Sequence, residues 1–201
     1  MLSLAAMTRF GPDRPVTPRR LGAAAALCIM AFAGSMAASG RGSSTAAQQP
    51  VSVTASGLAL PRFVSLKSDR VNLRKGPSTD YPTLWVYRRA GLPLEVVGEH
   101  EGWRQVRDAE GASGWVLQSM LSGRRTALVL PWEIKPEKPL PVVAIRTESR
   151  DGGEVIANVE AGTIANVRSC DGRWCHVVIG EFKGYLEQKK LWGVYEGESV
   201  R

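Results

Sequence analysis

The residues best able to do chemistry are Cys170, Cys175 and His176. The two cysteines bracket Asp171-Gly-Arg-Trp174, and the histidine follows the second. Asp-Gly is a strong two-residue hairpin signal. In that register Cys170 faces Arg173, and the cysteines are diagonal neighbours on one face. A slightly longer loop sets them directly opposite. Either geometry lies within or near disulfide reach. The rival chemistry is a zinc site or a reactive thiol beside His176. Two cysteines and one adjacent histidine make a poor zinc ligand set. On a strand Cys175 and His176 point opposite ways, which spoils a nucleophile–base pair. The expectation is a Cys170–Cys175 disulfide and no metal. His100 and His176 are the only histidines, and no Gly-x-Ser-x-Gly, His-Glu-x-x-His or phosphate-loop motif occurs. The chain is therefore expected to be no enzyme, with no catalytic residue and no cofactor.

The second chemical resource is aromatic. Glu101-Gly-Trp-Arg-Gln-Val-Arg107 is followed by a Gly-containing turn and by Gly114-Trp115. About seventy residues later Asp171-Gly-Arg-Trp174, Val177 and Gly184-Tyr185 repeat the pattern. Trp103 and Val106 map to Trp174 and Val177 at a shift of 71; Gly114, Trp115 and Leu121 map to Gly184, Tyr185 and Leu191 at a shift of 70. A one-residue deletion in the hairpin turn accounts for the difference. A period of this size means two copies of one small domain rather than a solenoid. Trp103 and Val106 differ by three, so on a regular strand they point to opposite faces. If Val106 fills the core, Trp103 lies outside it. An outward Trp has two uses, as a ligand platform or as a cover for a barrel end or the other domain. Burying one removes roughly 150–250 Å² from water, about 4–6 kcal/mol gross at ~25 cal/mol/Å². The candidate ligand contacts are Tyr81, Trp85, Trp103 and Trp115.

The elements that must position these residues are short strands. Phe63–Leu66, Val71–Leu73, Leu84–Tyr87, Leu92–Val97 and Trp103–Arg107 are separated by turn signals every 8–12 residues. Gly76-Pro77 and Tyr81-Pro82 forbid helix between the second and third. No window holds a helical period, and Gln118–Met120 fits a single 3₁₀ turn before a last strand, Thr126–Leu130. The reading is all-β, two tandem small barrels. The first covers 62–130 and the second 142–197. Between them Pro131, Pro136, Pro139 and Pro141 mark 131–141 as a semi-rigid linker. Trp132 and Ile134 are expected to dock on a barrel, with a Pro-rich recognition site as the alternative.

Asn72-Leu-Arg-Lys-Gly-Pro-Ser78, followed by Gly-Trp and Gly-Trp-Val, resembles the bacterial SH3-like domain family. The resemblance covers 63–130 well and 142–196 more loosely, because the second copy lacks the Asn-Leu-Arg-x-Gly-Pro segment. It implies five- or six-stranded barrels, no catalysis and a binding role, in many members toward peptidoglycan or its cross-bridge peptides. Leu117 and Met120 stand where eukaryotic SH3 domains carry the Pro and Tyr of their polyproline slots.

The first forty residues read as an export signal. Four Arg precede the apolar run Leu21–Ala33, and Ser35-Met-Ala37 fits small-x-small cleavage. A signal peptide over 1–38, cut near Ala37, places the mature chain in the periplasm or otherwise outside the cytoplasm. The alternative is an uncleaved segment, the chain's one expected contact with a membrane. Export brings oxidising conditions, and Cys28 leaves with the signal. Residues 39–61 are a Ser-, Ala- and Gln-rich lead-in.

The net charge of +7 shrinks to +4 once the first 38 residues, with a net of +3, are removed. That is no nucleic-acid signature. The expected partner is peptidoglycan or an envelope protein or peptide. The alternative is a structural or assembly protein of the envelope, whose barrels pack on a partner protein.

Overall fold

The computed structural model describes residues 56–201. The expected signal peptide, its cleavage near Ala37 and residues 39–55 of the lead-in lie outside the described residues.

The first sheet contains β1 (Arg62–Leu66), β2 (Val71–Arg74), β3 (Thr83–Tyr87), β4 (Pro93–His100), β5 (Trp103–Arg107) and β6 (Ser113–Leu117). A 3₁₀ turn at Gln118–Met120, where the sequence predicts one, leads into the two-residue β7 (Leu121–Ser122). The strand order is β3-β2-β6-β5-β4-β1-β7. Period-two alternation explains the core. Arg104 and Val106 of β5 and Val116 of β6 point in, while Trp103, Gln105 and Trp115 point out. Val106, Val116, Val96 and Leu94 are fully buried.

The second sheet begins earlier than its sequence suggests. β8 (Thr126–Val129), expected as the last strand of the first barrel, pairs with strands of the second. It is followed by β9 (Val142–Arg146), β10 (Val155–Glu160), β11 (Ile164–Asp171), β12 (Trp174–Ile179), β13 (Phe182–Glu187), a 3₁₀ turn at Gln188–Lys190, β14 (Leu191–Trp192) and β15 (Ser199–Val200). The order β10-β9-β13-β12-β11-β8-β14 repeats that of the first sheet with each strand number raised by seven. The boundary between the copies therefore falls between β7 and β8. The Pro-rich stretch 131–141 does not join two barrels. It is an excursion inside the second, standing where residues 67–70 connect β1 and β2 in the first. Within it the Ile134 side chain lies over Gly162 of the β10–β11 turn, and Trp132 is half-exposed.

The two barrels share a packed boundary. Leu128 of β8 belongs to the first barrel's core cluster although its hydrogen bonds lie in the second sheet. The Phe63 ring meets those of Trp192, at 5.0 Å, and Tyr195, at 4.8 Å. The buried Glu95 carboxylate takes Arg107 on one oxygen and the Tyr195 hydroxyl, at 3.0 Å, on the other. Burial, reinforced by that carboxylate, pushes the Tyr195 hydroxyl above the usual phenol range.

Candidate functional site: the outer faces of the two barrels

The Asn72-Leu-Arg-Lys-Gly-Pro segment is built around Leu73, buried in the core, and Arg74. The Arg74 guanidinium donates to the backbone oxygens of Thr79, at 2.9 Å, and Tyr81, at 2.8 Å, so it clamps the loop that follows β2. The Tyr81 ring covers Gly76 so closely that a Cβ there would sit 2.6 Å from ring carbons. A side chain at this position would push the ring aside, which accounts for the glycine of that segment. The second copy keeps this device where the sequence showed no matching motif. Ile145 is buried, and Arg146 donates to the Gly153 oxygen at 2.7 Å. A shift of 72, carrying Leu73-Arg74 onto Ile145-Arg146, is the signal that finds it.

The Gly-aromatic repeat has a packing cause as well. At Gly114 a Cβ would stand 2.7 Å from the Arg74 carbonyl oxygen, and at Gly184 it would stand 2.5 Å from that of Arg146. Each glycine lets the strand after the hairpin cross the Leu-Arg or Ile-Arg strand closely enough to close the barrel. Trp115 then pairs with Arg74, and Tyr185 with Arg146. The one-residue deletion also falls where expected: Val106 pairs with Gly114, eight positions on, and Val177 with Gly184, seven on.

These registers place the four aromatic candidates. Trp103 and Trp115 share the outer face as diagonal neighbours, since Gln105 lies opposite Trp115 and Leu117 opposite Trp103. Both tryptophans are half-buried. His100 joins them from β4: it pairs with Trp103, and its ring is 6.3 Å from that of Trp115, edge to face. Trp85 goes elsewhere. It sits opposite Leu73 and packs against the core, so it is not brought to the face of Trp103 and Trp115. Tyr81 is 46% exposed on its own loop. In the second copy Trp174, His176 and Tyr185 hold the places of Trp103, Gln105 and Trp115. Trp174 is almost fully buried, unlike Trp103.

Cys170 and Cys175 form the disulfide, directly opposite one another with Cα atoms 4.1 Å apart. The loop is the longer alternative. The Asp171 carboxylate accepts the backbone N–H groups of Trp174, at 2.7 Å, and Arg173, at 2.8 Å, and these hold its carboxyl below the usual range. The first barrel fills the same two positions with a buried ion pair. Shifting by 71 carries Glu99 onto Cys170 and Arg104 onto Cys175, and Glu99 faces Arg104 in the ladder. Arg104 Nε lies 3.1 Å from Glu99, and Arg62 approaches the same carboxylate at 2.6 Å. Replacing both cysteines with serine should lower the unfolding free energy by about 2 kcal/mol, the chain-entropy value for so short a loop. Urea unfolding of the variant beside the wild type measures it, and an unchanged midpoint would show that the bond adds nothing.

Among the described residues no cluster of three or more His, Cys, Asp or Glu side chains could hold a metal.

No curated protein matches the chain. Among solved structures, NlpC2 from Trichomonas vaginalis aligns at 15% identity and a TM-score of 0.29, over 66% of this chain and 48% of its own. NlpC1 from the same organism aligns at 15% identity and 0.28, over 70% and 48%. An NlpC/P60 family protein from Bacillus cereus aligns at 12% and 0.26, over 65% and 55%. The chain thus spans about half the length of these structures. The family model of the bacterial SH3 domain matches twice, at residues 67–123 and 140–193. Both matches begin after the first strand of their barrel, at corresponding places in the two sheets. With more than half of its length matched in two tandem copies, the chain belongs to the bacterial SH3 domain family.

Proposed function

We propose that this chain is an exported, non-catalytic binding module that holds peptidoglycan or an envelope peptide through the outer face of its first barrel. The observation that carries the reading is the aromatic cluster of Trp103, Trp115 and His100. It lies outside a core already filled by Val96, Val106 and Val116. Half-buried aromatic rings outside the core keep part of their apolar surface available to a ligand. The disulfide is consistent with an extracellular location, because such bonds persist in oxidising compartments. Arg74 is committed to its loop, so it serves as scaffold rather than as a ligand cation.

The test is sedimentation with purified sacculi. Wild-type protein should co-sediment, and Trp103→Ala should lose about tenfold in affinity, a hot-spot-sized effect. Wild-type protein left in the supernatant would overturn the peptidoglycan reading.

A second reading, an assembly protein packed on a partner, is favoured by apolar side chains on the second sheet. Val142 is 60% exposed and Val155 46%, and Ile156 and Phe182 are also exposed. It predicts one specific protein in cross-linked pull-downs and indifference to sacculi.

A further inference from the structure

The outer face of the second barrel is indented. His176 pairs with Ser169 on one side and with Tyr185 on the other. β15 lies along the opposite edge of β11, with Val200 across from Cys170. With the loop after β9 these strands surround an open cleft of about 480 Å³. That lies within the roughly 300–1,000 Å³ of small-molecule sites.

Its lining has a definite chemistry. The Tyr185 and His176 rings lie 5.1 Å apart and tilted by 33°, and Trp174 adjoins them. Ser149, Ser169 and Ser199 line the cleft as well. Asp171 also lines the cleft. Its Oδ1 takes the two backbone N–H donors, and its Oδ2 takes none of the described hydrogen bonds. A carboxylate oxygen is a pure acceptor, whereas serine hydroxyls both donate and accept. Asp171 and Arg201, of opposite sign, both line the cleft. β11 is already paired on both sides, by β12 on one and by β8 and β15 on the other. β11 therefore offers no strand edge for an extended peptide to join.

A pyranose ring suits such a site. One face presents C–H groups that lie well on an aromatic ring, and its edge presents hydroxyls that need acceptors and donors. We propose that the cleft of the second barrel is a separate ligand site for a short neutral saccharide, stacked on Tyr185 and hydrogen-bonded to Asp171 and the serine rim. It does not rest on the first-barrel reading, since the residues, barrel and probe all differ.

The experiment is an NMR titration of the purified chain with three probes: the N-acetylglucosamine trimer, cellotriose and triglycine. Either saccharide should shift the Trp174 indole and the amides of Ser169, His176 and Tyr185, while the indoles of Trp103 and Trp115 stay in place. A response to the N-acetylated trimer alone points to an amino-sugar polymer, and a response to both points to glucans in general. Tyr185→Ala should weaken binding by about tenfold, 1.4 kcal/mol, and Tyr185→Phe should retain it; dispersed spectra of both variants check folding. No shift at about 10 mM saccharide, well above any useful millimolar affinity, would overturn the proposal. So would shifts with triglycine only, shifts confined to the first barrel, or full affinity in a folded Tyr185→Ala variant. Loss of sacculus sedimentation alone would leave this site standing.

Discussion

Replacing Arg104 with alanine should lower the unfolding free energy by about 3 kcal/mol, the low end for breaking a buried ion pair. Arg104 is 4% exposed, and its removal strips one cation from a Glu99 side chain that is itself buried. Arg62 still reaches Glu99 at 2.6 Å, which holds the loss to the lower figure. The same guanidinium donates to the backbone oxygens of Glu101 and Trp103 and, at 2.7 Å, to Gln118. The hairpin tip and the start of the 3₁₀ turn should therefore loosen together. Thermal and urea unfolding measure the loss. A companion variant tests the structural equivalence. Glu99→Cys with Arg104→Cys places cysteines where the second barrel has its disulfide. They should bond spontaneously and recover about 2 kcal/mol relative to Arg104→Ala. A folded double variant whose two thiols stay free would show that the registers are not interchangeable.

Substituting Gly184 with alanine should cost about 2–3 kcal/mol, toward the upper end for overpacking a close-packed core. The added carbon would meet the Arg146 carbonyl oxygen at 2.5 Å and Ile145 Cγ2 at 2.6 Å. A backbone oxygen in a ladder cannot step aside as a flexible side chain can. Gly114→Ala should behave alike in the first barrel, where the Arg74 oxygen and Leu73 are the obstacles. Gly102→Ala is the control: nothing lies within 4 Å of its new carbon, so the change should stay within about 0.5 kcal/mol. Urea midpoints for the three variants check the ranking. A Gly184→Ala protein as stable as the Gly102→Ala control would contradict the close crossing.

The hairpin of β5 and β6 was legible because its two strands alternate strictly. Trp103 and Val106 sit three apart on a bulge-free strand, so their opposite orientations follow from counting. Trp85 resisted such counting. Trp85 faces Leu73 in regular register, but along the chain the loop after Arg74 and the slip at the Arg74–Thr83 pair come between them, so no count along the sequence reaches it. The membership of β8 was hidden for a different reason. All four of its residues are buried, some against each barrel, and a strand covered on both faces shows no alternation to assign it. Its partners lie far along the chain, in β11 and β14. The disulfide was legible from spacing and expected export, but the matching Glu99–Arg104 pair was not. An ion pair and a sulfur bridge share no letters, and only the register makes them the same position.

The boundary formed by Phe63, Tyr195 and Glu95 has a mechanical consequence. Because Leu128 inserts into one core while its backbone is laced into the other sheet, bending the halves apart means extracting a side chain and breaking the Tyr195–Glu95 bond. These contacts hold the two barrels against one another. If both outer faces bind as proposed, this boundary sets their separation, and a polymer whose repeat matches that span would gain avidity over a mismatched one.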